Sequence, residues 1–125
     1  MGANVKNILF IEDDDGVLDI YKQFFESGGE YVYSFLEDSK SALEILKEKS
    51  FDLIISDHLM EGIKGTEIVK IIRDEEGPNQ FTQFIMISAH TEPIIQEMKH
   101  VPGVLFLRKP VDFSFLVGMI ENLDL

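Results

Sequence analysis

Along the chain, short apolar runs alternate with amphipathic stretches, and this alternation repeats about five times. The apolar runs are only four or five residues long and are bounded by polar or glycine-containing segments. Apolar runs of this length are typical of strands that are buried on both faces of a parallel sheet. The pattern predicts strands at residues 8–11, 31–35, 53–56, 84–88 and 104–107.

The stretches between these strands carry apolar residues at helical spacing. The first predicted helix covers residues 16–27 and is expected to stop at the glycine pair 28–29. The second can begin at Asp38 or Ser39, and the Ser-x-x-Glu spacing at 41–44 is that of a capping box. Both segments are amphipathic, which predicts that each helix packs one face against the sheet.

The remaining helices follow the same rhythm. The third is predicted over residues 66–75, and the fourth is a short helix with Pro93 in its first turn that runs to Lys99. Asp112 can cap the last helix, which covers residues 113–123. Five strand–helix units in this order predict an α/β fold, a parallel sheet with helices on both faces, because parallel crossovers are long and right-handed.

Composition narrows the class of protein. The length of 125 residues and the absence of any linker predict a single domain over residues 1–125. The chain has no cysteine, so disulfides and cysteine metal sites are excluded. No apolar stretch approaches the roughly 20 residues that span a bilayer. The amino terminus lacks a signal-peptide core, and Lys6 stands where a myristoylation motif has Ser or Thr, so a cytoplasmic protein is expected.

Charge excludes one class of partner. The net charge is −12, whereas binding to a phosphate backbone requires a basic face. Most of the 23 acidic residues are expected to lie on solvated helix faces. The exceptions are those that directly follow strands, since the carboxyl edge of a parallel sheet is where open α/β folds bind ligands.

Four strand ends carry polar side chains that are expected to meet at this edge. Glu12 and Asp13 follow the first strand, Asp57 the third and Lys109 the fifth, while Ser88 ends the fourth. Mg²⁺ prefers one or two carboxylates together with waters and a phosphate. Asp13 and Asp57 can supply two carboxylates and Glu12 can hold a bound water, while Lys109 and Ser88 can contact a phosphoryl group attached to Asp57.

Each of these features has an ordinary structural explanation when it is taken alone. Acidic residues after a strand often cap helices, which is expected of Asp14 or Asp15, and a strand-end serine usually bonds to the backbone. A Lys-Pro pair is commonly a turn. The combination of all of them in one (βα)5 chain favours a site for a divalent cation and a phosphoryl group.

The combined pattern resembles the receiver domain of two-component response regulators over essentially the whole chain. The resemblance implies a doubly wound, flavodoxin-like sheet of five parallel strands in the order 2-1-3-4-5. It is carried by four segments and a glycine, namely Ile8 to Asp14, Asp52 to Met60, Gly65, Ile87-Ser88-Ala89 and Lys109-Pro110.

The resemblance also implies a role for each residue of the site. Asp57 corresponds to the phosphoacceptor and Asp13 to the direct ligand of Mg²⁺ or Mn²⁺, with Glu12 acting through a water. The backbone carbonyl of Leu59 corresponds to a further metal ligand.

Three more features correspond to parts of the family's switch. Ser88 matches the switch hydroxyl, Lys109 the phosphate-pairing lysine and Phe106 the aromatic residue that changes rotamer. The Lys109–Pro110 bond is expected to be cis, as in the family.

Two positions depart from the family's usual sequence. Glu61 stands where proline is common, and Lys64 stands where an aspartate often precedes Gly65. Both change the charge and stiffness of the loop after the third strand, and neither removes a group that the chemistry requires.

The resemblance implies a phosphoacceptor signalling domain rather than an enzyme acting on separate substrates. It implies a sensor histidine kinase or phosphotransfer protein as donor and an output partner that the sequence does not identify. No direct contact with nucleic acid or membrane is expected. The last helix lacks Lys and Arg, so the face formed by the fourth helix, fifth strand and fifth helix is expected to bind its partner through apolar contacts.

Three alternatives remain open at this point. A phosphatase of the haloacid-dehalogenase type would use the Asp-x-Asp at 13–15, but nothing after Lys109 supplies its second acidic pair. A degenerate receiver could act as a binding module without phosphorylation. A flavodoxin-like cofactor carrier would need a phosphate loop where four acidic residues stand.

Overall fold

The computed structural model describes residues 5–125, so the predictions made from the first four residues lie outside the described part. Ten elements alternate along the chain: β1 (Lys6–Ile11), α1 (Asp15–Phe24), β2 (Tyr31–Leu36), α2 (Ser39–Glu48), β3 (Leu53–Asp57), α3 (Gly65–Asp74), β4 (Gln83–Ser88), α4 (Thr91–Glu97), β5 (Val104–Arg108) and α5 (Phe113–Asn122). Within residues 5–125 no helix is long and apolar enough to cross a membrane.

The strands form one parallel sheet in the order β2-β1-β3-β4-β5, which confirms the predicted fold class and strand order. Helices cover both faces. On one face α2, α3 and α4 pack over residues such as Leu9, Ile54 and Met86. On the other, α1 and α5 pack over Ile8 and Phe10 among others. Successive strand side chains enter opposite cores, which is why the strand sequences are continuously apolar.

The helix boundaries differ from the predicted ones where tertiary packing overrides local signals. Helix α1 ends at Phe24, several residues before the glycine pair, and Phe25 adopts an extended conformation. Phe25 is only 4% exposed and packs against Phe10, with ring centroids 4.9 Å apart. Burial of this ring therefore turns the chain before the glycines are reached.

Aspartates cap three of the helices. The Asp14 carboxylate accepts a hydrogen bond from the backbone of Val17, and Asp112 caps α5 as predicted. In α2 the cap is Asp38, which accepts hydrogen bonds from the Lys40 N–H and the Ser41 hydroxyl. The predicted capping box at residues 41–44 is therefore wrong, because Ser41 lies inside α2 and its hydroxyl donates a hydrogen bond to the Asp38 carboxylate.

The amino-terminal edge of the sheet is held by Asn79, a buried polar residue in the α3–β4 loop. Its side-chain oxygen accepts hydrogen bonds from the Phe51 N–H and the Thr82 hydroxyl. Its amide nitrogen donates to the carbonyls of Leu46 and Lys49 at 2.6 and 2.7 Å. One side chain thus joins the end of α2 to the start of β4, on the edge opposite the candidate site.

Candidate functional site

The sheet register brings the predicted residues together at the carboxyl edge. Asp57 is the last residue of β3 and pairs with Ile87, so Ser88 lies one residue beyond it on the neighbouring strand. The Lys109 N–H donates to the Ser88 carbonyl at 2.9 Å, which places Lys109 beside Ser88 on the next strand. Three consecutive strands therefore deliver a carboxylate, a hydroxyl and an ammonium group to adjacent positions.

Asp57 and Lys109 form an ion pair at the centre of this edge. The Lys109 Nζ is 2.7 Å from Asp57 Oδ1, and the Asp57 side chain is only 5% exposed. Burial raises the pKa of Asp57 above its usual range, although the hydrogen bond and charge of Lys109 act in the opposite direction. For Lys109, burial alone would lower the pKa, but the contact with Asp57 outweighs it and the net change is upward. The Lys109–Pro110 bond is cis, as predicted.

Two more carboxylates adjoin this pair. Oxygens of Glu12, Asp13 and Asp57 all lie within 4.8 Å of one another. Glu12 is 3% exposed, and burial together with the negative charge of Asp57 raises its pKa to about 7. One Glu12 oxygen accepts a hydrogen bond from the Asp14 N–H. Without a cation, therefore, the cluster holds more negative charge than its surroundings neutralise.

The residues present fit a divalent cation. Three carboxylates from two strand ends offer hard oxygen donors, the type that Mg²⁺ and Mn²⁺ prefer. Asp57 Oδ1 is buried, and the positive charge that contacts it is the ammonium group of Lys109, 2.7 Å away. The single positive charge of Lys109 does not balance three neighbouring carboxylates, so a divalent cation would favour their ionised forms.

The residues predicted to form a switch, Ser88 and Phe106, differ in their surroundings. Ser88 is buried, and its hydroxyl accepts a hydrogen bond from the His90 N–H and donates to the His90 carbonyl, so it is turned toward its own loop. Phe106 is half-buried and packs against the core beneath α2, α3 and α4. The Leu59 side chain is 65% exposed.

The histidines do not join the acidic cluster. His58 is half-buried next to Asp57, and burial lowers its pKa, whereas His90 and His100 are exposed.

The structure also explains why residue 65 is a glycine. A Cβ at this position would lie 2.8 Å from the Asp57 carbonyl oxygen and 2.5 Å from the sulfur of Met86. Only glycine lets the first turn of α3 approach the backbone of β3 so closely.

Three hydrogen bonds of the β3–α3 loop were not predicted from the sequence. The Glu61 N–H donates to Asp13 Oδ2 at 2.9 Å. The Ser39 hydroxyl donates to the Glu61 carbonyl and accepts from the Ile63 N–H, each at 3.1 Å. The absence of proline at position 61 was the available signal, because proline has no N–H to donate.

Comparison with known proteins gives a consistent result. The family model for the response regulator receiver domain matches residues 8–121. The nisin biosynthesis regulatory protein NisR of Lactococcus lactis is 33% identical over 94% of this chain and 49% of its own length. The transcriptional regulatory protein FixJ of Bradyrhizobium diazoefficiens is 29% identical over 93% of this chain and 55% of its own length. The chain thus spans about half the length of these relatives.

Solved structures agree with the family match. The chemotaxis response regulator CheY4 of Vibrio cholerae superposes with a TM-score of 0.80 at 26% identity, covering 94% of this chain and 97% of that protein. The receiver domain of the Francisella response regulator 1452 gives a TM-score of 0.78 at 28% identity, covering 93% of each chain. These matches rule against the alternatives of a phosphatase and a cofactor carrier. The chain belongs to the receiver-domain family of two-component response regulators.

Proposed function

We propose that Asp57 accepts a phosphoryl group from a phosphohistidine of a sensor histidine kinase or phosphotransfer protein. An Asp57 carboxylate oxygen forms the new bond to phosphorus while the bond from phosphorus to the histidine nitrogen breaks, which returns the imidazole to the donor. The observation that carries the proposal is the position of Asp57 at the end of β3, 2.7 Å from Lys109 and within 4.8 Å of Glu12 and Asp13.

Asp13, Asp57 and the Leu59 backbone carbonyl are proposed to hold Mg²⁺ or Mn²⁺, with Glu12 acting through a water. The cation supplies neutralisation of the developing charge on the phosphoryl oxygens. Lys109 is proposed to transfer its ion pair from the Asp57 carboxylate to a phosphoryl oxygen. This transfer retains a charge-assisted contact beside the buried Asp57 carboxylate, where such contacts are stronger than in water.

The magnesium requirement can be tested with acetyl phosphate as the donor. Asp57 should be phosphorylated in Mg²⁺ and not in its absence, and Asp13→Ala should bind Mg²⁺ more weakly than the wild type. A titration of Asp13→Ala that matched the wild type would refute this assignment of the metal ligand.

An apolar groove beside Lys109 supports docking of the donor. The groove has a volume of about 520 Å³ and is lined by Val17, Ile20 and Phe113 among others. Ile20 is 48% exposed on the outer face of α1. We infer that the donor protein packs here, because the groove is lined in part by Lys109, whose ammonium group contacts Asp57.

Two substitutions separate docking from chemistry. Ile20→Ala should slow transfer from a phosphorylated donor protein while leaving the reaction with acetyl phosphate unchanged. Phe81→Ala is the matched control, because Phe81 is 80% exposed but lies in the α3–β4 loop, at the opposite edge. Equal rates of protein-to-protein transfer for Ile20→Ala and Phe81→Ala would contradict the docking surface.

The conformational response is proposed to involve Ser88 and Phe106. The Ser88 hydroxyl must leave His90 to bond a phosphoryl oxygen, and its loop then moves inward and makes room for the Phe106 ring. Phosphorylation shifts the equilibrium between the outward and inward positions of this loop only as far as the two positions differ in affinity for the phosphoryl group. Changes in amide exchange that spared residues 88–91 and 106 would contradict this switch.

The output surface is proposed to be the face formed by α4, β5 and α5. It exposes the apolar side chains of Ile95, Leu105 and Phe115. Substitution of Phe115 by Asp should weaken binding of an output partner to the phosphorylated form without changing phosphorylation of Asp57. Binding unaffected by this substitution would rule against the surface.

The isolated domain is proposed to have a narrow set of activities. It catalyses only its own phosphorylation and dephosphorylation, and residues 1–125 form one receiver domain with a cytoplasmic location. With a net charge of −12, the domain is proposed not to bind DNA itself, although NisR and FixJ are regulatory proteins. Retention of duplex DNA by residues 1–125 in a low-salt mobility-shift assay would contradict this.

A further inference from the structure

The buried hydroxyl of Ser39 joins helix α2 to the loop that follows the phosphoacceptor strand. Ser39 is 2% exposed, and its hydroxyl contacts two backbone groups of the β3–α3 loop. It donates to the Glu61 carbonyl and accepts from the Ile63 N–H, each at 3.1 Å. Between these residues Gly62 has a φ of +88°, so the loop turns tightly around the hydroxyl.

The acidic cluster holds the same loop from its other side. Asp13 Oδ2 accepts the Glu61 N–H at 2.9 Å, so both backbone groups of Glu61 have side-chain partners. One partner is a carboxylate of the cluster and the other is Ser39. The position of Asp13 is therefore linked to that of Ser39 through a single loop residue.

Capping of α2 does not account for these contacts. Ser39 is the first residue of α2, but the cap is Asp38, which accepts from the Lys40 N–H and the Ser41 hydroxyl. The two recorded partners of the Ser39 hydroxyl both belong to the β3–α3 loop, 22 and 24 residues away in sequence. Loop position, rather than helix initiation, is what this side chain determines.

We propose that Ser39 is a positioning residue for the divalent cation. By fixing residues 61–63 it holds the Glu61 N–H against Asp13, and it restrains Leu59 two residues upstream. This inference rests on the proposed metal site, because it assumes that Asp13 and the Leu59 carbonyl are ligands.

Preorganisation gives the physical reason. A loop that is already fixed loses less conformational freedom when its groups bind a cation, so affinity increases without a new direct contact. Groups that orient metal ligands influence affinity in this way although they do not touch the ion. Linkage requires the reverse effect as well, so the bound cation should restrain the loop.

The first test compares Ser39→Ala with Ser41→Ala. Both remove a hydroxyl from the first turn of α2, but the recorded bond of Ser41 is to Asp38 and not to the loop. In metal-free protein, Ser39→Ala should speed amide exchange at Glu61 and Ile63, whereas Ser41→Ala should not. In a Mg²⁺ titration followed by amide chemical shifts, Ser39→Ala should bind about fivefold more weakly, as expected if about 1 kcal/mol of the two lost hydrogen bonds is coupled to binding.

A second pair of variants tests the link to Asp13. Glu61→Pro removes the N–H and the side-chain charge, while Glu61→Ala removes only the charge. Mg²⁺ should bind Glu61→Pro about fivefold more weakly than Glu61→Ala, since a hydrogen bond contributes about 1 kcal/mol. Equal affinities would refute a role for this N–H.

The outcomes distinguish this inference from the proposed function. If the wild type bound no Mg²⁺, the metal site itself would be refuted and this inference with it. If the wild type bound Mg²⁺ and Ser39→Ala bound it equally well, only the positioning role would be overturned, even if Ile63 exchanged faster. Faster exchange throughout the core would mean that Ser39 stabilises the whole fold instead, and would also overturn it.

Discussion

The buried carboxyl of Glu12 predicts that the metal-free protein loses stability as the pH rises. The pKa of Glu12 is about 7 in the folded protein and 4.5 in an ordinary environment. Between these values the folded protein keeps a proton that the unfolded chain has released, so the free energy of unfolding falls as the pH rises. The loss is complete once the pH exceeds the folded-state pKa, and the contribution is fully present below 4.5.

The size of this loss in the free energy of unfolding follows from the difference between the two pKa values, which is about 2.5. Each pKa unit corresponds to about 1.4 kcal/mol, so Glu12 accounts for a loss of about 3 kcal/mol at most. Substitution of Glu12 by Gln removes the titrating group and keeps its size. Glu12→Gln should therefore match the wild type near pH 4.5 and exceed it by up to about 3 kcal/mol above pH 7.

Urea denaturation followed by circular dichroism, in metal-free buffer at several pH values, measures this difference directly. Asp57 also has a raised pKa and His58 a lowered one, and these groups titrate in both proteins. The difference in unfolding free energy between the two proteins therefore reports the titration of Glu12 together with its coupling to Asp57. In Mg²⁺ the advantage of Glu12→Gln should shrink, because a cation neutralises the wild-type carboxylate. A difference that stayed constant from pH 4.5 to 8 would refute the account of the acidic cluster.

Four further substitutions test separate parts of the structure. Gly65→Ala should lower the free energy of unfolding in urea by about 1–3 kcal/mol, because the added Cβ would meet the Asp57 carbonyl. Gly118→Ala should raise it by about 1 kcal/mol, because a Cβ there has no neighbour within 4 Å. Changes of the same sign in both variants would contradict this reasoning. Asn79→Ala should cost about 3 kcal/mol, since four hydrogen bonds are lost, while its Mg²⁺ affinity in a titration should equal that of the wild type. Lys109→Ala should slow phosphorylation by acetyl phosphate yet bind Mg²⁺ at least as tightly, because it frees Asp57; weaker Mg²⁺ binding would contradict the proposed role of Lys109.

Local sequence signals predicted the strands and the strand ends well for a physical reason. Strands β3 and β4 are buried on both faces, so their residues had to be apolar in succession, and the polar residue after each run marked the edge. Asp57, Ser88 and Lys109 follow from that rule together with the parallel order of the sheet.

The structure differs from the sequence-based prediction where contacts between distant parts of the chain decide the conformation. The end of α1 depends on the burial of Phe25 against Phe10, which lies on a different element. Ser39 looked like a possible helix cap, yet its hydroxyl bonds a loop more than 20 residues away. No local pattern reports such a contact, although the absence of proline at position 61 left an N–H available for Asp13.

The central claim is that Asp57 is the residue that receives the phosphoryl group. Incubation with acetyl phosphate and Mg²⁺, reduction of the acyl phosphate with borohydride and peptide mass spectrometry measure this directly, because reduction converts a phosphorylated aspartate to homoserine. The account predicts homoserine at position 57 of the wild type and no phosphoryl mass gain in Asp57→Asn. Homoserine at position 13, or an undiminished mass gain in Asp57→Asn, would contradict it.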